Sequence, residues 1–293
     1  MFDSQAPPVQ TLIDTLTSFA ILFAIFTPLE RLFPAQRQRV FRAEWGTDLL
    51  FFLGQYLLWT APVVAALAVA QQNAARLPIA GLQALVRAQP FWLQVLEVVL
   101  LSDVSIYWVH RWSHSNRFLW SFHRVHHTAE RIDWLAAHRE HPFDNLLTRA
   151  TENLPLILLG FPLHTLAGFA MFRGLWALYI HSNCALTPGP LRFLIGAPRL
   201  HHWHHAIESR GRVNFANLSP VMDLVFGTYH DPGRMPASYG LDEKSSHNYF
   251  VQLAAPLAPE WSRALRSRIE NSRFAARLRA RPARAAAASP PNA

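Results

Sequence analysis

Sulfur chemistry is almost missing from this 293-residue chain. Cys184 is its single cysteine, which excludes an internal disulfide and any cysteine-held metal or iron–sulfur site within one chain. There is no Gly-rich dinucleotide fingerprint and no appended haem-binding module, so the chain carries no electron-delivery cofactor of its own. No nucleic-acid recognition motif and no internal repeat are present. Residues 1 to 10 are polar, with no basic region ahead of the first apolar run and no small-residue cleavage site after it, so no cleaved signal peptide is expected. Histidine, too, is absent from the first 109 residues, yet 13 of the 15 histidines fall between His110 and His205.

The apolar runs set the architecture. Leu12 to Phe33 is apolar apart from Asp14, Glu30 and Arg31, long enough to cross a hydrocarbon core of about 30 Å at about 1.5 Å per residue. Leu49 to Ala70 runs without a charge and predicts a second span kinked at Pro62. Phe91 to Val109 predicts a third, interrupted by Glu97 and Asp103. Carboxylates at that depth are costly in lipid and face a protein interior or a site. Glu97 reads as an interhelical contact. Asp103, seven residues and about two turns before His110, reads as support for a site on the same helix face.

The segment Leu154 to Phe172 is broken by Pro155, Gly160, Pro162 and Gly168, which predicts a helical hairpin entering the bilayer or two short spans, with a second arm running on to His181. His164 falls at that bend and reads as structural. The fold class expected is all-α: an integral membrane helical bundle of about four spans, counting the broken hairpin, under a cytoplasmic helical histidine-box cap. Residues 1–109 would hold the first three spans, and 110–230 the histidine region with its hairpin at 154–180. Residues 231–293 would hold an amphipathic stretch at 249–265 and a basic disordered tail.

Charge gives orientation. The loop with Arg31, Arg37, Arg39 and Arg42 is richer in positive charge than the segment 71–90, which has Arg76 and Arg87, so the former is expected in the cytoplasm. In a bacterium that means the inner membrane, with the histidine boxes and the C-terminus inside. The formal net charge of +8 belongs largely to the tail, where eight arginines from Arg263 to Arg284 face Glu270. Beside apolar spans, such a tail meets anionic headgroups rather than nucleic acid, or stays solvated.

Three histidine knots stand out: HRWSH at 110–114, HRVHH at 123–127 and HHWHH at 201–205. On a helix, residues three and four apart share a face, so each knot offers a converging imidazole set: His110 with His114; His123 with His126 and His127; His201 with His204 and His205. Neutral imidazole is a ligand for iron, zinc, copper or nickel, and these eight outnumber the positions of one octahedral ion, which favours two metals with positions left open. His202 points about 100° away from His201 on a helix and is assigned to packing.

The order of motifs resembles the membrane fatty acid hydroxylase superfamily of histidine-box proteins, which includes sterol desaturases, carotenoid hydroxylases and alkylglycerol monooxygenase. The resemblance covers roughly residues 28 to 230. It rests on Asp103 followed by YWVHRWSH, on WSFHRVHH at 120–127, REHP at 139–142, HSN at 181–183, PRLHHWHH at 198–205 and the stretch from Asp223 to Tyr229. Three positions depart from the family pattern: His202 stands where Arg is common, Asp144 where Glu is common, and Asn214-Phe215-Ala216 where Asn-Tyr-Gly is common.

The resemblance implies a non-haem di-iron centre that takes O2 and two electrons to oxidise a lipid C–H bond, as a hydroxylase rather than a desaturase. Its ligands would be His110, His114, His123, His126, His127, His201, His204 and His205, with His181 as a ninth and His141 as a further candidate. Asp144, Asn183, Asn214 and Asp223 would hold imidazole N–H groups in place, as neighbours of metal-bound histidines do. Electrons would come from a separate reductase, ferredoxin or cytochrome, for which the Arg-rich face around Arg111 to Arg139 offers a docking surface. The alternatives are an isomerase-like or ether-cleaving relative on the same scaffold, or a non-catalytic membrane protein whose histidines hold structural zinc. Haem needs only one or two axial ligands and leaves the repeated sets unexplained.

Overall fold

The structure is a computed structural model and describes residues 8–242 and 245–257. The basic tail from Arg263 to Arg284, and the predicted amphipathic stretch beyond residue 257, lie outside the described residues. The chain forms two compact units, Met1–Lys244 and Ser245–Ala293. Every named element among the described residues is helical, and β-pairing is limited to the isolated bridges Pro34 with Cys184 and Ala206 with Tyr239.

The first apolar run forms α1 (Pro8–Leu32). The second is one long helix made of α2 (Trp45–Gly54), a π-helical turn over Gln55–Trp59 and α3 (Thr60–Ala74). Pro62 has no N–H for the carbonyl four residues back and its ring crowds that turn, so the wider π turn just ahead of it relieves the clash without ending the helix. α4 (Ala80–Ala88) leads into α5 (Phe91–Ser115). Glu97 accepts from Gln89 in the connection ahead of α5, at 2.9 Å.

α1, Trp45–Ala74 and α5 are each long and apolar enough to cross a membrane, with mean hydropathies of 1.8, 1.7 and 1.4. They differ in how much the protein itself covers them: 11 %, 17 % and 39 % of the three apolar windows is buried. The protein therefore leaves most of the surface of the first two uncovered, and α5 is the most enclosed of the three. It is also the one that continues past Val109 to carry His110 and His114.

Asn116 ends α5 and caps α6 (Arg117–His123), its side chain accepting from the Phe118 and Leu119 amides. The predicted hairpin is α7 (Pro142–Leu159) and α8 (Leu163–His181). Pro142 occupies the first turn of α7, where its missing N–H is harmless. Gly160 closes α7 in the left-handed conformation (φ 84°), where a Cβ would stand 2.8 Å from the Gln83 Cβ. α9 (Pro198–His204), α10 (Val221–Val225) and α11 (Tyr249–Ala254) complete the described helices.

Two apolar cores hold the first unit. Phe26, Phe52, Trp134, Leu135 and Leu178 join α1, α2 and α8 to a 3-10 turn at Trp134–His138. Val86, Val98, Leu156, Ile157 and Phe161 join α4 and α5 to the hairpin. Between α2 and the 3-10 turn lies a buried ionic network. Arg42 pairs with Asp133 and Asp48, and Arg139 with Asp48 and Glu44. Arg42 and Arg139 are thus structural cations and not surface charges. Arg42 drops out of the orientation count, and Arg139, fully buried, out of the predicted docking face.

Candidate metal centre

Nine imidazoles converge in two groups. His110, His114, His123, His127 and His204 have ring nitrogens within 4.8 Å of one another, and so do those of His126, His181, His201 and His205. These are the nine residues singled out from the sequence, but the groups do not follow the three motifs. α6 stops at His123 and the chain turns through a 3-10 segment, His126–Thr128, so the second motif is not one helix face as expected from its spacing. The change of direction sends His123 and His127 to the first group and His126 to the second. The third motif divides as well: His204 joins the first group, while His201 and His205, the residue ending α9, join the second.

The rings are held from behind by acceptors. Nδ1 of His110 donates to the Phe215 carbonyl (2.7 Å), that of His126 to the Arg139 carbonyl (3.2 Å), that of His181 to the Ala177 carbonyl (2.7 Å) and that of His204 to the Val213 carbonyl (2.8 Å). His123 donates to the Asp144 carboxylate at 2.9 Å. A carbonyl only accepts, so each Nδ1 carries the proton and each Nε2 is a bare lone pair.

That tautomer makes the centre unstable on its own. Nε2 of His126 and Nε2 of His181 lie 3.0 Å apart, two acceptors facing each other, and the buried Nε2 atoms of His110, His114 and His123 have no hydrogen-bond partner. Burial, followed by the neighbouring imidazoles, holds His126, His127, His201 and His205 well below the usual histidine range, so a proton does not fill the gap. Buried neutral imidazoles with inward lone pairs are the donor set a cation requires, and the residues fit a metal centre. Gly211 is part of the fit: its φ is 60°, and a Cβ there would stand 2.6 Å from the His114 ring.

The other predicted site residues touch no imidazole in this group, apart from Asp144. Asp103 had been expected to meet the metal centre or an imidazole N–H. It pairs instead with Arg173 at 3.3 Å and accepts from the Ser219 amide, because α8 brings an arginine to the same depth. Asn183 grips the residue 36 backbone through both its amide atoms, tying the end of α8 to the loop after α1. Asn214, at φ 54°, bonds the Leu200 and His230 carbonyls and the His230 amide. Asp223 accepts from the amides of Phe215 and Ala216 and so fixes the loop whose Phe215 carbonyl holds His110.

His141 caps α7 by accepting from the Phe143 amide. His202 bonds the Tyr239 hydroxyl (2.8 Å) and the Ser182 carbonyl, outside both groups. His164 stacks on Phe91 and belongs to neither group. The sequence reading missed Arg173 and the four carbonyl acceptors. Backbone carbonyls leave no signal in a side-chain pattern, whereas an arginine inside the apolar hairpin is such a signal.

A cavity of about 790 Å³ ends at the centre. Its walls come from all three spans and the hairpin, with Ile21, Val64, Ile106 and Leu175 among its apolar lining, and His110, His123, His126, His181 and His201 at the histidine end.

Residues 95–228 match the fatty acid hydroxylase family. An ornithine lipid hydroxylase of Rhizobium tropici is 31 % identical over 171 residues, 58 % of this chain and 52 % of that protein. A Delta(7)-sterol 5(6)-desaturase of Gibberella zeae is 33 % identical over 138 residues, 46 % of this chain and 37 % of the relative. The alkylglycerol monooxygenase of Danio rerio is 31 % identical over 159 residues, 53 % and 33 % of the two chains. The chain thus spans about half or less of the length of these relatives. No solved structure matches it. On these matches, residues 95–228 form a segment of the membrane fatty acid hydroxylase/sterol desaturase kind, in a chain with three helices long and apolar enough to cross a membrane.

Proposed function

We propose that this chain is a membrane lipid hydroxylase with a di-iron centre: His110, His114, His123, His127 and His204 hold one iron, and His126, His181, His201 and His205 the other. The observation that supports this reading is the convergence of nine imidazoles, in groups of five and four, at the end of an apolar cavity. Bound there, the irons would supply reductive activation of O2. The balanced reaction is R–H + O2 + 2 e⁻ + 2 H⁺ → R–OH + H2O, with the electrons from a separate protein donor. The apolar walls bind the chain and exclude water, and O2 partitions into the same space. Asp144 and the four carbonyl acceptors orient His110, His123, His126, His181 and His204 through Nδ1, so that the Nε2 of each faces the metal.

The names of the relatives include hydroxylases, a desaturase and a monooxygenase. Hydroxylation and desaturation both begin at a C–H bond, and only the product separates them. The reading places the centre at the cytoplasmic rim, within reach of soluble reductant. The test is elemental analysis of detergent-purified protein together with lipid profiling of cells that do or do not express it. Two irons per chain and a lipid gaining one oxygen is the expected result. Two zincs and an unchanged lipid profile would replace it with a structural zinc cluster; the group of four has the number of ligands that a closed zinc site takes, and the group of five exceeds it.

A further inference from the structure

His138 belongs to the histidine-rich stretch but to neither imidazole group. It closes the 3-10 turn Trp134–His138, with its ring edge-on to Phe52 (4.8 Å) and Tyr56 (5.7 Å) between the centroids. Its Nδ1 lies 3.2 Å from Oε1 of Gln55 in the π turn. The amide oxygen only accepts, so Nδ1 carries the proton and Nε2 is a bare acceptor. That Nε2 is buried and has no hydrogen-bond partner, on a residue only 6 % exposed that lines the cavity beside His126 and His181. Burial holds the ring down to about 3, so it stays neutral.

An unpartnered buried acceptor costs free energy, and the cavity is the space from which a partner can come. The surroundings select the partner. An anion is repelled by a bare lone pair. An ammonium group meets Arg149 in the same wall, while burial pushes the nearby Glu140 carboxyl up towards its neutral form and Asn145 already donates to it. A neutral donor remains, and on a lipid that donor is a hydroxyl.

We propose that His138 is a specificity-determining residue whose Nε2 accepts a hydrogen bond from a hydroxyl group on the bound lipid, so that the cavity selects a hydroxyl-bearing lipid over the same chain without a donor. The proposal rests on the lipid-oxidation reading for its ligand class. It is tested without turnover. The full-length protein in detergent is incubated with equimolar 1-hexadecanol and 1-methoxyhexadecane, which share an oxygen and differ in the donor, then passed through gel filtration. The retained pair is quantified by mass spectrometry against a protein-free detergent blank.

The unmodified protein is expected to retain the alcohol over the ether by about threefold to tenfold, the range of a net hydrogen bond. His138→Phe, which keeps an aromatic ring against Phe52, is expected to bring the ratio to the blank, while His138→Gln, which keeps an acceptor, restores part of it. Metal content of each variant reports whether the centre is intact. A blank-level ratio in the unmodified protein, or a preference that survives in folded His138→Phe, overturns the proposal; failure of His138→Phe to fold leaves the decision to the unmodified protein and His138→Gln, where a preference unmoved by the shorter, displaced acceptor also overturns it. A protein that prefers the alcohol but oxidises no lipid keeps the subsite and loses the hydroxylase reading.

Discussion

Among the described residues, Asp144 is the one side-chain carboxylate seen to bond directly to a histidine of the two groups, through His123 Nδ1. Its neighbours in role are all backbone carbonyls, which no substitution can delete. Asp144 is therefore the position at which support of the ring is separable from ligation. Removing such an outer partner lowers metal affinity or activity by about 10- to 100-fold. Asp144→Asn is expected to insert normally and to lose metal on dialysis against a chelator faster than the unmodified protein, with turnover lowered in that range. His164→Ala, which removes a ring that stacks on Phe91 and lines the cavity but belongs to neither imidazole group, is expected to keep its metal under the same dialysis. Equal loss from the two variants would remove Asp144 from the support of the centre.

Among the elements, the hairpin carries the largest share of the positioning. α8 delivers His181 at its end and Arg173 about two turns earlier, and Arg173 bridges Glu152 on α7 (2.9 Å) to Asp103 on α5 (3.3 Å). A buried ion pair of this kind is not a source of net stability by itself, but an arginine in this apolar interior needs both carboxylates. The turn between the arms depends on Gly160, at φ 84° with Gln83 against its α-carbon, and Gln83 in turn donates to the Ala74 and Leu158 carbonyls. Gly160→Ala forces a side chain into the left-handed region and into that contact, at a cost of about 1–3 kcal/mol. Thermal unfolding in detergent is expected at a lower temperature, with weaker retention of metal by the group that contains His181. An unchanged transition would mean that the bend relaxes freely.

Across the whole molecule, orientation follows from the loop between the first two spans. With Arg42 consumed in the buried network, Arg31, Arg37 and Arg39 remain as its exposed positive charges, and on that count we expect the loop in the cytoplasm. The buried Cys184 is the single native thiol, so a substituted cysteine gives a clean reporter. Arg37→Cys is expected to resist a membrane-impermeant maleimide in intact cells and to react after permeabilisation. Labelling in intact cells would put the loop outside and deny the centre a cytoplasmic reductant.

Much of this molecule is written locally. Apolar length determined the three spans, and Pro and Gly determined the break at 160–162. Residue type and clustering drew eight histidines together, and the family resemblance added His181 and, as a further candidate, His141, with His164 and His202 left aside. Local spacing has no power over which side chains meet across segments. It read the second motif as one helix face, whereas the chain turns after His123 and shares that motif between both groups. It put Asp103 beside the centre, and the family resemblance gave Asn183, Asn214 and Asp223 to imidazoles, whereas packing gave Asp103 an arginine and the other three backbone groups of nearby loops. It could not see the carbonyls behind the rings, which exist only where α5, α8 and α9 meet the loops that carry them. The sequence determined which groups are present and which helices are long and apolar enough to cross a membrane; the division into two histidine groups, the tautomers and the cavity were decided by tertiary structure, because they depend on distances between segments that a one-dimensional pattern does not contain.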